Sequence, residues 1–439
     1  MALPCRRSSP GLEGLRAFPV ILTLETRSMR HTLRQSIWAG LLAVAFAGSV
    51  AHAQTNTPTV NCASFPQPIY VSGSSAIRSF LGVVAQQLAK ESPPFTIIYQ
   101  SQGSCTGVRA IYSTVAADRV IKDIPAAGTR VANYAIALKA DGSAQECFLA
   151  SEGNIVDVGV SDVYAATCNY NAPPEGVQIA DYEGPIQPMT LVVPAASSQR
   201  SISAEAAYMA FGMGGNQGAA APWVDQNLFF VRNSSSGTQQ MIARAINVPA
   251  DKWWGIDRAS SDGVRRNMKV ILDQATADKA IGIVSTDIAD EERSNLRILA
   301  FQGTGQSCGY LPDSTPFAKD KQNVRDGHYP IWGPVHFFTR TENGLPSAAA
   351  GALVSRFAAA RIDQVLLDSI IEKHLVPKCA MKVKRSMEMG PLSTYSTDSR
   401  CGCYFDLKAN GATSCKACAG PADCPSSAPA CNYGYCEAP

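Results

Sequence analysis

Short apolar runs alternate with amphipathic stretches along most of the chain. Ile69-Tyr-Val71, Phe95-Thr-Ile-Ile-Tyr99 and Asn227-Leu-Phe-Phe-Val231 are each bounded by polar residues and read as buried strands. Each is followed by apolar residues at helical spacing, over Ala76–Ala89, Val108–Ile111 and Gln239–Ile246. This alternation of strand and helix predicts an α/β fold. Pro185–Pro194 is an apolar strand with proline at both ends, placed to act as a hinge, and Tyr329–Thr339 has the same apolar character. Ser203–Phe211 reads as a helix with a serine cap, Gly212–Gly218 as a surface loop, and Ala348–Leu367 and Ser369–Leu375 as helices. No internal repeat, heptad run or low-complexity tract interrupts this order.

The joints between strands and helices carry the chemistry. Ser72-Gly-Ser-Ser75, Gln102-Gly-Ser-Cys-Thr-Gly107 and Arg232-Asn-Ser-Ser-Ser-Gly-Thr238 are hydroxyl- and glycine-rich turns, each between a strand and a helix. The first amides of a helix lack internal partners and the helix dipole favours negative charge there. Arg232 adds a planar fork that matches two oxygens of an oxyanion. An ordinary capped helix with a surface arginine would use the same residues, but three such turns in one chain suggest helix starts converging on an anion. A fourth piece, Val156-Asp-Val-Gly-Val-Ser-Asp162, is a strand that ends in a carboxylate.

Taken in order, these pieces resemble the periplasmic phosphate-binding proteins of phosphate ABC transporters, within the type II periplasmic binding-protein superfamily. Ser75 stands where the family's first loop places a hydroxyl on the anion, and Tyr99-Gln-Ser-Gln-Gly-Ser-Cys-Thr-Gly107 is similar to its second loop, with Ser104 at the contacting serine. Asp157-Val-Gly-Val-Ser-Asp162 matches the segment that ends in the contacting aspartate, and Arg232, Ser236, Gly237 and Thr238 match its Arg-x-x-x-Ser-Gly-Thr. The resemblance spans residues 67–345. It implies a two-lobed α/β fold, with 67–188 and 333–400 forming one lobe, 189–332 the other, and Tyr329–Pro334 the return crossing. It also implies an anion-contact set of Ser75, Ala76, Ser104, Asp162, Arg232, Ser236, Gly237 and Thr238. Lys279–Ser285 resembles the glycine-containing strand of the family's second lobe.

Three departures qualify the match. Residues 111–154 form a longer link than the family uses, long enough to cover a cleft. Cys105 replaces a serine beside Ser104. Ser234 stands where relatives often carry an aspartate that braces the arginine, which removes a negative charge next to Arg232.

Composition narrows the setting. The chain has 439 residues and a formal net charge of +2. Residues 1–53 hold six Arg and two Glu, so the remainder carries 32 basic and 34 acidic residues, a net −2. Such a balance argues against nucleic-acid or acidic-membrane partners. Met29–Arg34 is a basic n-region, Ile37–Ala47 an apolar core too short for a membrane span, and Ala51-His-Ala53 a cleavage signal. Residues 29–53 therefore read as a signal peptide and 1–28 as an upstream extension, so the expected location is periplasmic or extracellular, with no membrane span after signal removal. Fourteen cysteines fit an oxidising compartment. Loss of Cys5 with the leader would leave thirteen, an odd number. Seven crowd residues 401–439, a segment too small to fold without staples, which reads as a small disulfide-rich module able to bind a surface partner.

Catalysis finds no support. Of the three histidines past the leader, His328, His336 and His374, none has metal-ligand spacing, and His336 reads as structural. No nucleophile elbow or His-Glu-x-x-His helix occurs, and no cofactor is implied. The paired Trp253-Trp254 reads as packing between lobes. The expected function is capture of phosphate or a similar tetrahedral oxyanion, with delivery to an ABC transporter permease implied by the resemblance. The alternative, favoured by the cysteine-rich tail, is an extracellular interaction protein that keeps the fold without transport.

Overall fold

The computed structural model describes residues 57–127 and 131–438; the expected leader lies outside them. Its organising element is the strand Gln178–Pro194, continuously buried from Gly184 onward. The first part of this strand pairs antiparallel with the return strand Trp332–Glu342, from Gln178↔Thr341 to Pro188↔Trp332. Its last part pairs antiparallel with Ile281–Ser285 and Leu296–Ile298. Two sheets are therefore sewn together by one shared strand, and the pairing changes hands at Pro188 and Met189. This gives the two-lobed α/β architecture that the resemblance implied.

In the first lobe, Trp332–Glu342 is followed across the sheet by Val158–Ser161, Pro68–Gly73 and Thr96–Ser101. The last three run parallel to one another. Val158–Ser161 is buried along its whole length and Thr96–Ser101 along all but its last residue, as expected for parallel strands covered on both faces. Helix Arg78–Leu88 covers one face with Phe80, Leu81, Val84, Ala85 and Leu88, an apolar stripe at helical period. In the second lobe, Phe229–Val231 lies between Ile256–Asp257 and Ile281–Ser285, again parallel to both.

The long link builds onto the sheet. It forms an antiparallel hairpin, Ala135–Leu138 with Ala144–Cys147, which lengthens the first sheet beyond Thr96–Ser101, at the edge farthest from the shared strand. The Cys62–Cys147 disulfide ties this hairpin to the lead-in. At the C-terminal end of Thr96–Ser101 the Gln100 side chain donates to the Lys122 and Asn133 carbonyls.

Local readings also shift. Gly212–Gly218 is not a loop but the end of helix Ala204–Gly218, kinked at Gly214 (φ 75°). The glycines there permit contact: a Cβ on Gly215 would lie 2.2 Å from the Val224 carbonyl oxygen. The helix expected over 348–367 breaks into Ala348–Ala358 and Gln364–Glu372, because Asp363 accepts from the Leu366 amide and starts a second helix. Trp253 stacks on Phe211 within the second lobe at 4.6 Å between ring centres, rather than bridging lobes.

The tail is built into the body. Helix Gly402–Asn410 and the hairpin Ala430–Asn432 with Tyr435–Glu437 are stapled by Cys403–Cys415, Cys418–Cys431 and Cys424–Cys436. A further disulfide, Cys379–Cys401, joins tail to body. Tyr404 donates to Asp368 (2.5 Å), Tyr433 donates to the Ile362 carbonyl (2.9 Å), and Arg325 forms an ion pair with Asp406. Phe405 and Cys401 are buried in the same apolar cluster as core residues of both lobes. The expected disulfide-rich tail is present, and a short segment with little core of its own gains one by docking on the body. No cysteine is free among the described residues.

Candidate functional site

Parallel strands send their C-terminal ends to one edge, and this edge is where open α/β sheets place their sites. In the first lobe the three parallel strands deliver Ser74 and Ser75, Ser104, and Asp162 to that edge. In the second lobe the strands ending at Val231 and Asp257 deliver Arg232 and the Ser260–Ser261 turn. The two edges face one another and touch: the Cys105 amide donates to the Ser235 carbonyl across the cleft at 3.0 Å.

Asp162 is 1% exposed. Its Oδ2 accepts from Ser74 Oγ at 2.5 Å and Ser104 Oγ at 3.1 Å, and its own amide donates to Ser104 Oγ. Burial pushes its carboxyl up to about 6, against the opposing pull of the two hydroxyls, Arg232 and His336. Gly73 makes this approach possible: with φ 140°, a Cβ there would lie 1.9 Å from the Val160 carbonyl oxygen. Gly237 does the same from the other lobe. A Cβ on it would fall 2.2 Å from Ser104 Oγ and 2.6 Å from Asp162 Oδ2, so only glycine lets the helix start close over the carboxylate.

Arg232 is 3% exposed. Its Nη1 donates to Ser261 Oγ (2.9 Å), and its Nη2 to the Ala259 carbonyl (3.1 Å) and to Ser75 Oγ on the opposite lobe (3.2 Å). Its amide donates to Gln239 Oε1, which anchors the arginine to the helix it precedes. Every one of these partners is neutral. Burial pulls the guanidinium down to about 10, with Asp257 and Asp162 as the leading charges that sustain it. Three buried polar atoms here find no hydrogen-bond partner among the described residues: Asp162 Oδ1, Arg232 Nε and Thr238 Oγ1. An acceptor and two donors are thus desolvated together at the meeting of two lobes, a costly arrangement unless something pairs with them.

The geometry therefore brings Ser104, Asp162 and Gly237 together and joins Arg232 to the half-buried Ser75 across the lobes, with Thr238 buried next to Gly237. Ser236 is engaged in capping its own helix, accepting from the Gln239 amide, and the Ala76 amide is engaged with Ser74 Oγ. Five contributors are not in the contact set that the motifs implied. Ser74, rather than Ser75, is the hydroxyl on Asp162, and Tyr99 OH donates to the Ser74 carbonyl from behind. Ser261 and Ala259 hold Arg232 from a turn, Asp257-Arg-Ala-Ser-Ser261, that has the same strand-to-helix, hydroxyl-rich signature as the others. Cys105 pairs with Cys168, which links the residue after Ser104 to the segment after Asp162.

No protein-family model and no curated protein matches the chain. Among solved structures, it is similar to an ABC-type phosphate transport receptor from Vibrio cholerae (14% identity, 70% of this chain and 99% of that chain, TM-score 0.41). A phosphate-binding protein from Stenotrophomonas maltophilia gives 14% identity over 71% of this chain and 90% of that chain, with a TM-score of 0.41. The regulatory domain of OxyR from Pseudomonas aeruginosa gives 10% identity, 66% of this chain and 96% of that chain, with a TM-score of 0.34. No described helix is long and apolar enough to cross a membrane.

Proposed function

We propose that this chain is an extracytoplasmic binding protein that captures phosphate, or a similar tetrahedral oxyanion, between its two lobes. The observation that carries the reading is that opposite lobes contribute Asp162 and Arg232, both buried and not bonded to each other, with Asp162 Oδ1, Arg232 Nε and Thr238 Oγ1 left without partners among the described residues. A tetrahedral oxyanion is complementary to this set in charge and hydrogen-bonding capacity. Its oxygens accept from the guanidinium fork, from Thr238 and from the helix start at Gly237. A carboxylate such as Asp162 is an acceptor only, so it demands a ligand that still carries a proton. Phosphate and arsenate do so near neutral pH, whereas sulfate does not. Disulfides through both the body and the tail fit an oxidising compartment.

Titration calorimetry of the full chain with phosphate, arsenate and sulfate tests the reading. Phosphate and arsenate are expected to bind, with sulfate much weaker. Equal displacement of phosphate by sulfate would remove Asp162 from the role given to it, and no binding of any of the three would end the proposal.

A further inference from the structure

We infer that Asp257 is a positioning residue for the anion site: by capping the turn that follows it, Asp257 aims the Ala259 carbonyl at the guanidinium of Arg232. This inference rests on the anion-binding reading above and adds the element that holds the arginine ready.

The register comes first. Val231 and Asp257 are Cα partners on adjacent parallel strands, so the two chains leave the sheet side by side and Arg232 enters beside the 257–261 turn. Asp257 Oδ1 accepts from the Ala259 amide at 2.8 Å, a side-chain-closed turn that releases the backbone from extended geometry. Ala259 then sits at φ 58°, a left-handed conformation that a Cβ disfavours and that the closed turn holds in place. With Ala259 in that conformation, its carbonyl accepts from Arg232 Nη2 (3.1 Å). Two residues on, Ser261 Oγ accepts from Nη1 (2.9 Å), at the start of helix Ser261–Met268, which Ser260 caps through the Gly263 amide.

These two bonds are the only ones the guanidinium makes to its own lobe among the described residues; its third partner, Ser75, belongs to the opposite lobe. Before the lobes meet, the 257–261 turn alone decides where the fork points. Asp257 itself is exposed and makes no hydrogen bond or ion pair with the guanidinium; its charge helps to keep Arg232 protonated, and its hydrogen bond to the Ala259 amide holds the turn. The turn thus does structurally what a carboxylate at Ser234 would do by direct contact. Ordering a fork in advance raises affinity by lowering the entropy lost on binding.

Of three variants of the full chain, backbone positioning and charge predict the same loss for the first and opposite outcomes for the other two. Asp257→Ala removes both. Asp257→Asn removes the charge and keeps an oxygen for the Ala259 amide. Asp257→Ala combined with Ala259→Gly restores the left-handed residue without the cap, because glycine adopts it freely. Phosphate affinity by calorimetry is expected to fall about tenfold in Asp257→Ala, a loss comparable to that of one capping hydrogen bond. It is expected to stay near wild type in Asp257→Asn and to recover in the double variant. Hydrogen exchange of the Arg232 Nε–H group, read by ¹⁵N NMR without ligand and assigned through its absence in Arg232→Met, should quicken in Asp257→Ala alone. Wild-type behaviour in Asp257→Ala, equal damage in Asp257→Asn, or failure of the glycine to rescue would each overturn the inference. A wild-type chain that binds no oxyanion would defeat the proposed function, and the exchange measurement would still decide the role of Asp257.

Discussion

Replacing Arg232 with methionine separates binding from stability more cleanly than any other change. The guanidinium is almost fully buried, all of its partners are neutral, and burial pulls it down to about 10. Holding it charged at neutral pH therefore costs the free fold about 3 kcal/mol, at 1.36 kcal/mol per tenfold change. Methionine fills a similar volume without charge, and buried charges replaced by well-packed apolar groups often leave a fold unchanged or more stable. Part of the gain is lost because Asp162 would then have no facing cation. The net expectation is an anion-free Arg232→Met chain as stable as wild type or more stable by about 1–3 kcal/mol. Binding should move the other way. Truncating one partner of a buried charged contact costs about 2–5 kcal/mol, or roughly 30-fold to several thousand-fold in affinity. Thermal melts with and without phosphate give both numbers at once. Wild type should gain about 2.7 kcal/mol at a hundredfold excess of phosphate over its Kd, and the variant less than about 1 kcal/mol at the same concentration. A destabilised Arg232→Met chain that still responds to phosphate like wild type would show that the arginine is structural and that the anion binds elsewhere.

Other expectations follow from the same geometry. Asp162→Asn supplies a donor where the carboxylate only accepts, so it should narrow the preference for phosphate over sulfate in competition calorimetry; an unchanged ratio would show that Asp162 does not face the ligand. Asp287 is buried, accepts from Gln187 Nε2 and is pushed up to about 7 by burial. An acid raised in this way keeps its proton in the fold where the unfolded chain has lost it, so its contribution is present at low pH and is lost as pH rises through about 7. Asp287→Asn should therefore match wild type near about pH 4 and exceed it by a few kcal/mol near about pH 8, as read by urea denaturation; parallel pH profiles would refute this. Breaking Cys379–Cys401 by double serine substitution should cost about 3 kcal/mol of stability. Ending the chain at Arg400, which also strips away buried Phe405 and the Tyr404 and Tyr433 contacts, should abolish cooperative melting.

Much of this protein is written locally. Buried strands such as Thr96–Ser101 and the glycine- and hydroxyl-rich turns after them are legible because strand period, helix period and turn chemistry act over a few residues. Asp162 and Arg232 stand out for the same reason: each ends a strand and begins a turn. What the sequence could not decide depends on contacts between distant segments. Whether Ser74 or Ser75 meets Asp162 turns on how closely Gly73 passes Val160, a separation of one residue set by a strand pairing across the sheet. Asp257 and Ser261 lie beside Arg232 only because Val231 and Asp257 share a register, and a parallel register is a long-range property with no local signature. The run Gly212–Gly218 looked like a loop because glycine is a poor helix former. Close packing against Val224 reverses that preference. The tail shows the largest gap. Its seven cysteines announce disulfides, but the Cys379–Cys401 bond, the Arg325–Asp406 ion pair and burial of Phe405 make it part of the body. Pairing among many cysteines, and the choice of surface on which a small apolar face is buried, are settled by the free energy of the whole fold rather than by any segment of it.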